Sequence, residues 1–225
     1  MAVVDLSVLV APQMGVPPAL KNNRLQFETV IRKSAQSEDM VRIGFVRNLC
    51  IHTGTHVDAP CHALGGRRAV AAIPLDRLVG GAVVLDLGEV ASNEAIGPER
   101  LQRFGGDVRP DDIVILRSRW SERYWGKDEY WTDSPYLTVE GARWLVDRRP
   151  KALVFDFFEE YDARFPDFDA IGFKVHREIL GRDVLIVEHV VNLAVLPRRF
   201  ARFAAAPLKL DDMEGSPVRA LAILD

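Results

Sequence analysis

Two short stretches constrain the fold of this chain more than any other feature: Val83-Val84-Leu85 and Ile113-Val114-Ile115-Leu116 are apolar at every position. A strand points successive side chains to opposite faces, so an unbroken apolar run needs cover on both sides. Similar β-branched and aliphatic runs at 3–10, 41–51, 82–87, 112–116, 152–158, 184–188 and 219–224 read as strands. Helical spacing marks 97–104, 139–147 behind Thr138 as N-cap, and 171–180 closed by Gly181. The expectation is an α/β fold with a mixed β-sheet core flanked by helices. Residues 120–135, aromatic and charged without a period, read as a long loop reaching over a site.

At 225 residues, 48% hydrophobic and 27% charged, the chain can bury one sizeable core, and a single domain over 1–225 is expected. Lys plus Arg number 29 against 32 Asp plus Glu, so there is no basic field to draw in nucleic acid. Two cysteines, Cys50 and Cys61, make no disulfide framework and suit a reducing cytoplasm. The apolar run 2–11 is broken by Asp5, follows no Lys or Arg, and is too short to span a bilayer, so neither signal peptide nor membrane helix is expected. The glycine pairs Gly65-Gly66 and Gly80-Gly81 match no phosphate-cradling fingerprint, and no nucleotide is implied.

Three of the five histidines fall within the eleven residues HTGTHVDAPCH, His52 to His62, where random placement would put roughly a quarter of one. The four-residue step from His52 to His56 matches a metalloprotease helix, but Thr53-Gly54-Thr55 between them and Pro60 after them argue against a helix. In an extended chain His52, His56 and Asp58 share parity and project together, with Gly54 permitting a close approach or bulge. Two imidazoles and a carboxylate form the ligand set of a catalytic site with an open position, suited to Zn, Mn or Fe(II).

HTGTHVDAPCH resembles the H-x-G-T-H-x-D-x-P-x-H signature of the putative cyclase family of metal-dependent hydrolases, which includes bacterial kynurenine formamidase and isatin hydrolase. DLSVLV, VILRSRW and APLKLDDMEGSPVRALAI resemble further family segments, so the likeness spans nearly the whole chain. It implies a swivelling β/β/α-like fold and a two-metal site. His52, His56, Asp58 and Glu188 would hold the first ion, and Asp58, His176 and Glu188 the second, with both carboxylates bridging. The resemblance makes His62 a proton donor, a role that an imidazole titrating near neutral pH suits. Glu188 independently ends an apolar strand, where a buried carboxylate needs a cationic partner. His189, of opposite parity, is expected to be structural, and Cys61 to be a small buried residue instead of a nucleophile.

The chain departs from the family at 154–160, where Asp156 is kept but Phe157, Phe158, Glu159 and Glu160 replace a Gly-x-Asp-Thr-x-Ser-like segment. At least one of the two phenylalanines is expected in the core. The resulting expectation is a hydrolase, binding one or two Zn or Mn ions, in which metal-activated water cleaves a C–N bond of an amide, aryl-formamide or lactam. Its partner would be a small aromatic or cyclic substrate. A lactone hydrolase or cyclase would use the same site, and a non-catalytic metal-binding protein is the rival class. The aromatic stretch Trp120 to Trp131, together with the family's habit, leads us to expect a homodimer or higher homo-oligomer.

Overall fold

The computed structural model describes residues 1–15, 17, 24–105 and 107–224. Its strands are, in chain order, β1 (Ala2–Asp5), β2 (Gln26–Lys33), β3 (Met40–Arg47), β4 (His56–Asp58), β5 (Val79–Asp86), β6 (Ala95–Ile96), β7 (Ile113–Arg117), β8 (Tyr136–Leu137), β9 (Ala152–Phe155), β10 (Leu185–Glu188), β11 (Arg199–Ala204), β12 (Gly215–Pro217) and β13 (Leu221–Leu224). Five α-helices accompany them among the described residues: α1 (Pro98–Phe104), α2 (Trp120–Tyr124), α3 (Glu129–Thr132), α4 (Val139–Val146) and α5 (Lys174–Leu180). Nine strands form one mixed sheet in the order β1-β13-β11-β5-β7-β9-β10-β4-β12. The β5-β7-β9-β10 centre is parallel and the flanks are antiparallel.

The continuous apolar runs fall in that parallel centre, as two-sided cover requires. Val83, Leu85, Val114, Leu116, Leu153, Phe155 and Ile186 face one core, and their alternates Val84, Ile113, Ile115, Ala152, Val154, Leu185 and Val187 face another. The first core is roofed by helices, through Leu101 of α1, Leu145 of α4 and Ile179 of α5. The second is closed differently from the expected flanking helices. Val57 of β4 joins it together with Phe203 of β11 and Ala222 of β13, which lie toward opposite ends of the sheet order, so the sheet curls over its own second face.

Helix ends follow local chemistry. Thr138 caps α4 by accepting from the Gly141 N–H, and the Gly181 N–H closes α5 onto the Arg177 and Ile179 carbonyls. The segment 171–180 begins as a separate 3₁₀ turn, Ala170–Gly172, before α5. Residues 120–135 are not a long loop: they form α2 and α3 and enter the helical core, with Trp120, Tyr130 and Trp131 buried. Buried Asp156 fastens this lobe by accepting from the Ser118 N–H and Oγ and the Arg119 N–H, while burial pushes its carboxyl up to about 7.

The strand read at 41–51 is the other departure. Its observed core, β3, pairs among the described residues only with β2, a strand the sequence does not announce, in a separate antiparallel hairpin whose sixteen strand residues are all exposed. The strand read at 3–10 is ordered as β1 only to Asp5, with an isolated bridge from Ser7 to Val190 beyond it. The run 152–158 leaves the sheet after Phe155, so the residues that follow are free to turn toward the ends of the parallel strands.

Candidate metal centre

Strand register brings the distant residues together. Glu188 ends parallel strand β10 and lies opposite His56 of β4, and Asp58 lies opposite Ile186 two residues along. Directly paired residues share a face, so His56, Asp58 and Glu188 all project on the side of Ile186, which is the helical side. There α5 presents His176, only 2% exposed and stacked on Phe173 at 3.8 Å between ring centroids. His52 is not in the strand. It reaches the cluster through a tight turn in which Gly54 has φ +68°, a conformation that favours glycine, and a Cβ there would lie 2.6 Å from Val10 Cγ2.

The two carboxylates divide their oxygens. Asp58 Oδ1 lies 2.8 Å from His52 Nδ1 and 3.3 Å from His56 Nε2, while Oδ2 lies 3.5 Å from His176 Nε2. Glu188 Oε2 lies 3.5 Å from His56 Nε2, and Oε1 lies 3.2 Å from His176 Nε2. Each acid thus reaches an imidazole of the β4 side with one oxygen and His176 of α5 with the other. Among the described residues the buried Asp58 oxygens face imidazole nitrogens alone, and His52 Nε2 lies 3.6 Å from Glu214 Oε1, beyond hydrogen-bond distance. Such orphaned donor atoms fit a divalent cation, which would satisfy several at once.

Outer contacts fix the imidazoles. The Gly54 carbonyl accepts from His56 Nδ1–H at 2.8 Å, leaving Nε2 as the inward lone pair. Glu160 Oε2 accepts from His176 Nδ1–H at 3.1 Å and from the Val175 and His176 backbone N–H groups, so it anchors both α5 and its ring. Gly215 of β12 lies opposite Asp58, and a Cβ there would meet Val57 O at 2.9 Å and His52 Cε1 at 3.0 Å. Only a glycine lets β12 brace the strand this closely.

The charges show the same demand for a cation. Burial opposes ionisation of Asp58, yet the neighbouring His56, His62 and His52 hold its pKa well below the carboxylate range. Burial likewise opposes a charged His52 or His176, but Asp58 lifts His52 to about 10, and hydrogen bonds to Asp58, Glu160 and Glu188 hold His176 well above its usual value. Left to themselves, the carboxylates recruit positive charge by keeping protons on imidazoles. His62 differs: burial pushes it down to about 4. It stands on a 3₁₀ turn, Pro60–His62, instead of the extended chain assumed from sequence, with its ring 4.1 Å from that of His52 and 5.6 Å from that of His176.

A cavity of about 310 Å³ opens onto these groups, and all five histidines of the chain line it. Its apolar wall comes from Trp131, Phe158, Phe168 and Phe173. Phe157 is core and Phe158 is wall, so at least one of the pair is core as expected. His189 overturns the parity expectation: its φ of +58° turns it into the cavity, with Nε2 3.1 Å from Glu188 Oε2 and Nδ1 2.8 Å from the Tyr130 hydroxyl. A strand-parity rule has no access to a left-handed residue. Cys61 stays outside the cavity, a free and partly buried thiol packed against the second core. Sequence reasoning also missed Glu159, which is fully buried beside His176.

A curled mixed α/β sheet carrying a buried His/Asp/Glu cluster at the carboxyl ends of its parallel strands defines the class of molecule. The chain belongs to the family described as putative cyclase, whose model matches residues 4–160. It is 28% identical over 221 residues to kynurenine formamidase of Salinibacter ruber (strain DSM 13855 / M31), covering 98% of this chain and 97% of the relative. Kynurenine formamidase of Bordetella petrii (strain ATCC BAA-461 / DSM 12804 / CCUG 43448) is 30% identical over 176 residues, covering 76% and 75%. Among solved structures, isatin hydrolase A from Labrenzia aggregata bound to benzyl benzoate superposes with a TM-score of 0.80 at 24% identity, covering 99% of this chain and 93% of that one. The last likeness concerns the fold.

Proposed function

We propose that this protein is a metal-dependent hydrolase that cleaves a C–N bond of an amide, aryl-formamide or cyclic lactam in a small aromatic or cyclic substrate. The observation that carries this reading is the convergence of His52, His56, Asp58, His176 and Glu188 at the floor of one aromatic-walled cavity. The similarity to kynurenine formamidases over nearly the full chain supports the same chemistry. We assign these five residues as ligands to one or two Zn or Mn ions. When bound, such an ion would acidify water and polarise the scissile carbonyl.

The chain's own residues supply the remainder. Phe158, Phe168 and Trp131 take a flat ring edge or face, and a cavity of about 310 Å³, near the lower end for small-molecule sites, suits one or two rings. His62, beside the ligands but set edge-to-face against Phe173 and not in the strand, is placed to hand a proton to the departing nitrogen. Burial pushes its pKa to about 4, below the near-neutral value expected, so the ring is neutral at pH 7 and would have to take up a proton before handing it to the departing nitrogen. A screen of metal-loaded protein against formyl-anilides, isatin-like lactams and lactones tests the assignment: hydrolysis of the first two is expected, and turnover of lactones alone would make it a lactone hydrolase.

We also propose self-association, but not through the aromatic stretch, which the chain buries in itself. The β2-β3 hairpin is the stronger reason. Register places Phe27, Val46, Ile31 and Met40 on one face and Phe45, Val30, Ile43 and Val41 on the other, all exposed. No helix among the described residues is long and apolar enough to cross a membrane. We propose a cytoplasmic location, with which the two free cysteines are compatible.

A further inference from the structure

The departure at 157–160 adds an acid that neither the ligand set above nor the proton donor uses. Glu159 is 0% exposed, and among the described residues neither of its side-chain oxygens has a hydrogen-bond donor. Its position is not slack: its carbonyl accepts from the Leu137 N–H, and the Phe158 N–H before it donates to Ser134 Oγ. The two consecutive acids approach His176 from its two nitrogens. Glu160 meets the Nδ1–H, while Glu159 Oε1 lies 3.5 Å from Nε2, the atom that also faces Asp58 and Glu188. Ligand atoms of Glu159, His176 and Glu188 all lie within 4.8 Å of one another.

A buried carboxylate with no donor is strongly disfavoured unless a cation or a proton compensates it. We propose that Glu159 is itself a metal ligand, completing with His176, Asp58 and Glu188 an oxygen-rich second position that binds a hard divalent ion such as Mn²⁺. This rests on the metal-dependent reading above and deepens it. The two positions then differ in chemistry. The first has two imidazoles, His52 and His56, sharing the bridging acids, which suits Zn. The second has one imidazole and three carboxylates, a set that favours Mn over softer competitors.

Charge leads the same way. With ions bound and Glu159 ionised, Asp58, Glu159 and Glu188 would bring three negative charges to the centre, while Glu160 is satisfied by the start of α5. One divalent ion leaves that buried centre negative; two leave it with one positive charge, the sign that an incoming anionic oxygen balances. Glu159 therefore makes two-ion occupancy the stable state of this chain.

The test is metal binding, not turnover. Metal-stripped full-length protein is titrated with Mn²⁺ alone, with bound ions counted by elemental analysis after desalting and free Mn²⁺ followed by electron paramagnetic resonance. Wild type is expected to hold two ions per chain. Glu159→Gln, which keeps the side-chain shape, is expected to retain one and to weaken the second by at least the ~10–100-fold typical of lesser, outer-shell losses. Two ions in Glu159→Gln with unchanged affinity would mean that Glu159 is a buried neutral acid, and the proposal fails. Should that variant not fold, Glu159→Asp decides: a weakened second ion supports the assignment, and an unchanged one overturns it. Wild type saturating at a single ion removes the second position and leaves the hydrolase reading standing, whereas wild type that takes up no metal overturns both.

Discussion

Two regions of this molecule invert the usual rule of burial, in opposite senses. At the ends of β9 and β10 the chain buries Asp58, Glu159, Glu160, Glu188, His56, His176 and His189 together, while in the β2-β3 hairpin it exposes eight large apolar side chains on both faces. Neither is stable chemistry in isolation. The charged centre is missing positive charge, and the hairpin is missing apolar cover. Each inversion is therefore a statement about a partner: a cation for the first and, on our reading, a second copy for the other.

The largest effect should come from breaking the charged centre at a ligand. His56→Ala is expected to lose bound metal and activity together, with affinity falling well beyond the ~10–100-fold that an outer-shell partner costs. Elemental analysis checks it, and full metal retention would move the site elsewhere. Next is His62→Ala, which should keep metal and fold but lose about 10²–10⁴ in turnover. The loss should shrink for substrates with better leaving groups, measured as kcat across a series of substituted formyl-anilides. Loss of metal in this variant would make His62 a ligand, since it lies with Asp58 and His176 in one candidate group.

The hairpin side of the comparison is tested by mass. Wild type at micromolar concentration should scatter light as at least a dimer of the 25.2 kDa chain. Phe27→Glu with Phe45→Glu, one on each face, should weaken that association about 30-fold or more while leaving metal content unchanged. A wild-type monomer would show that the hairpin's cover is not another copy. The smallest effect belongs to an ordinary surface cluster used as a control, Asp86 with Arg117 and Arg119. Partial burial opposes its ionisation, but hydrogen bonds from Arg119 and Arg117 hold the Asp86 carboxyl well below its usual range. A depressed carboxyl stabilises the fold above its unfolded value near 3.8 and loses that contribution as pH falls through the folded value. The unfolding temperature should therefore drop as pH goes from about 5 to 2, and Asp86→Asn should flatten that slope. An unchanged slope would place the acid sensitivity elsewhere.

The charged centre was more legible in sequence than the hairpin. HTGTHVDAPCH places two ligands and a bridging acid in seven residues, and Glu188 betrays itself by ending an apolar run. Glu159 and His189 both follow the end of a strand, where periodicity stops being a guide: β9 ends at Phe155, and His189, expected by strand parity to be structural, has positive φ. The hairpin left a signal that went unread, the polar run Ser34 to Asp39 between two apolar-rich stretches, which is turn chemistry. Its placement apart from the main sheet was not legible, because exposure on both faces contradicts what the same apolar pattern means in β5 and β7. The two-sided cover of the central strands was legible, but curling of the sheet as the means of covering one side depends on contacts between strands distant in sequence.

The strand order has a consequence for how such a protein matures during synthesis. β12 and β13, residues 215–224, are what brace β4 at one end of the sheet and bind β1 to β11 at the other. A ribosome that has translated the first 200 residues has already made His52, His56, Asp58, Glu159, His176 and Glu188, yet has made neither of those strands. With translation at about 5–20 residues per second, the nascent chain carries its full set of acids and imidazoles while both sheet margins are still open. The centre is therefore braced only once these residues have been made, and until then the margins of the sheet offer unpaired strand edges to wrong partners.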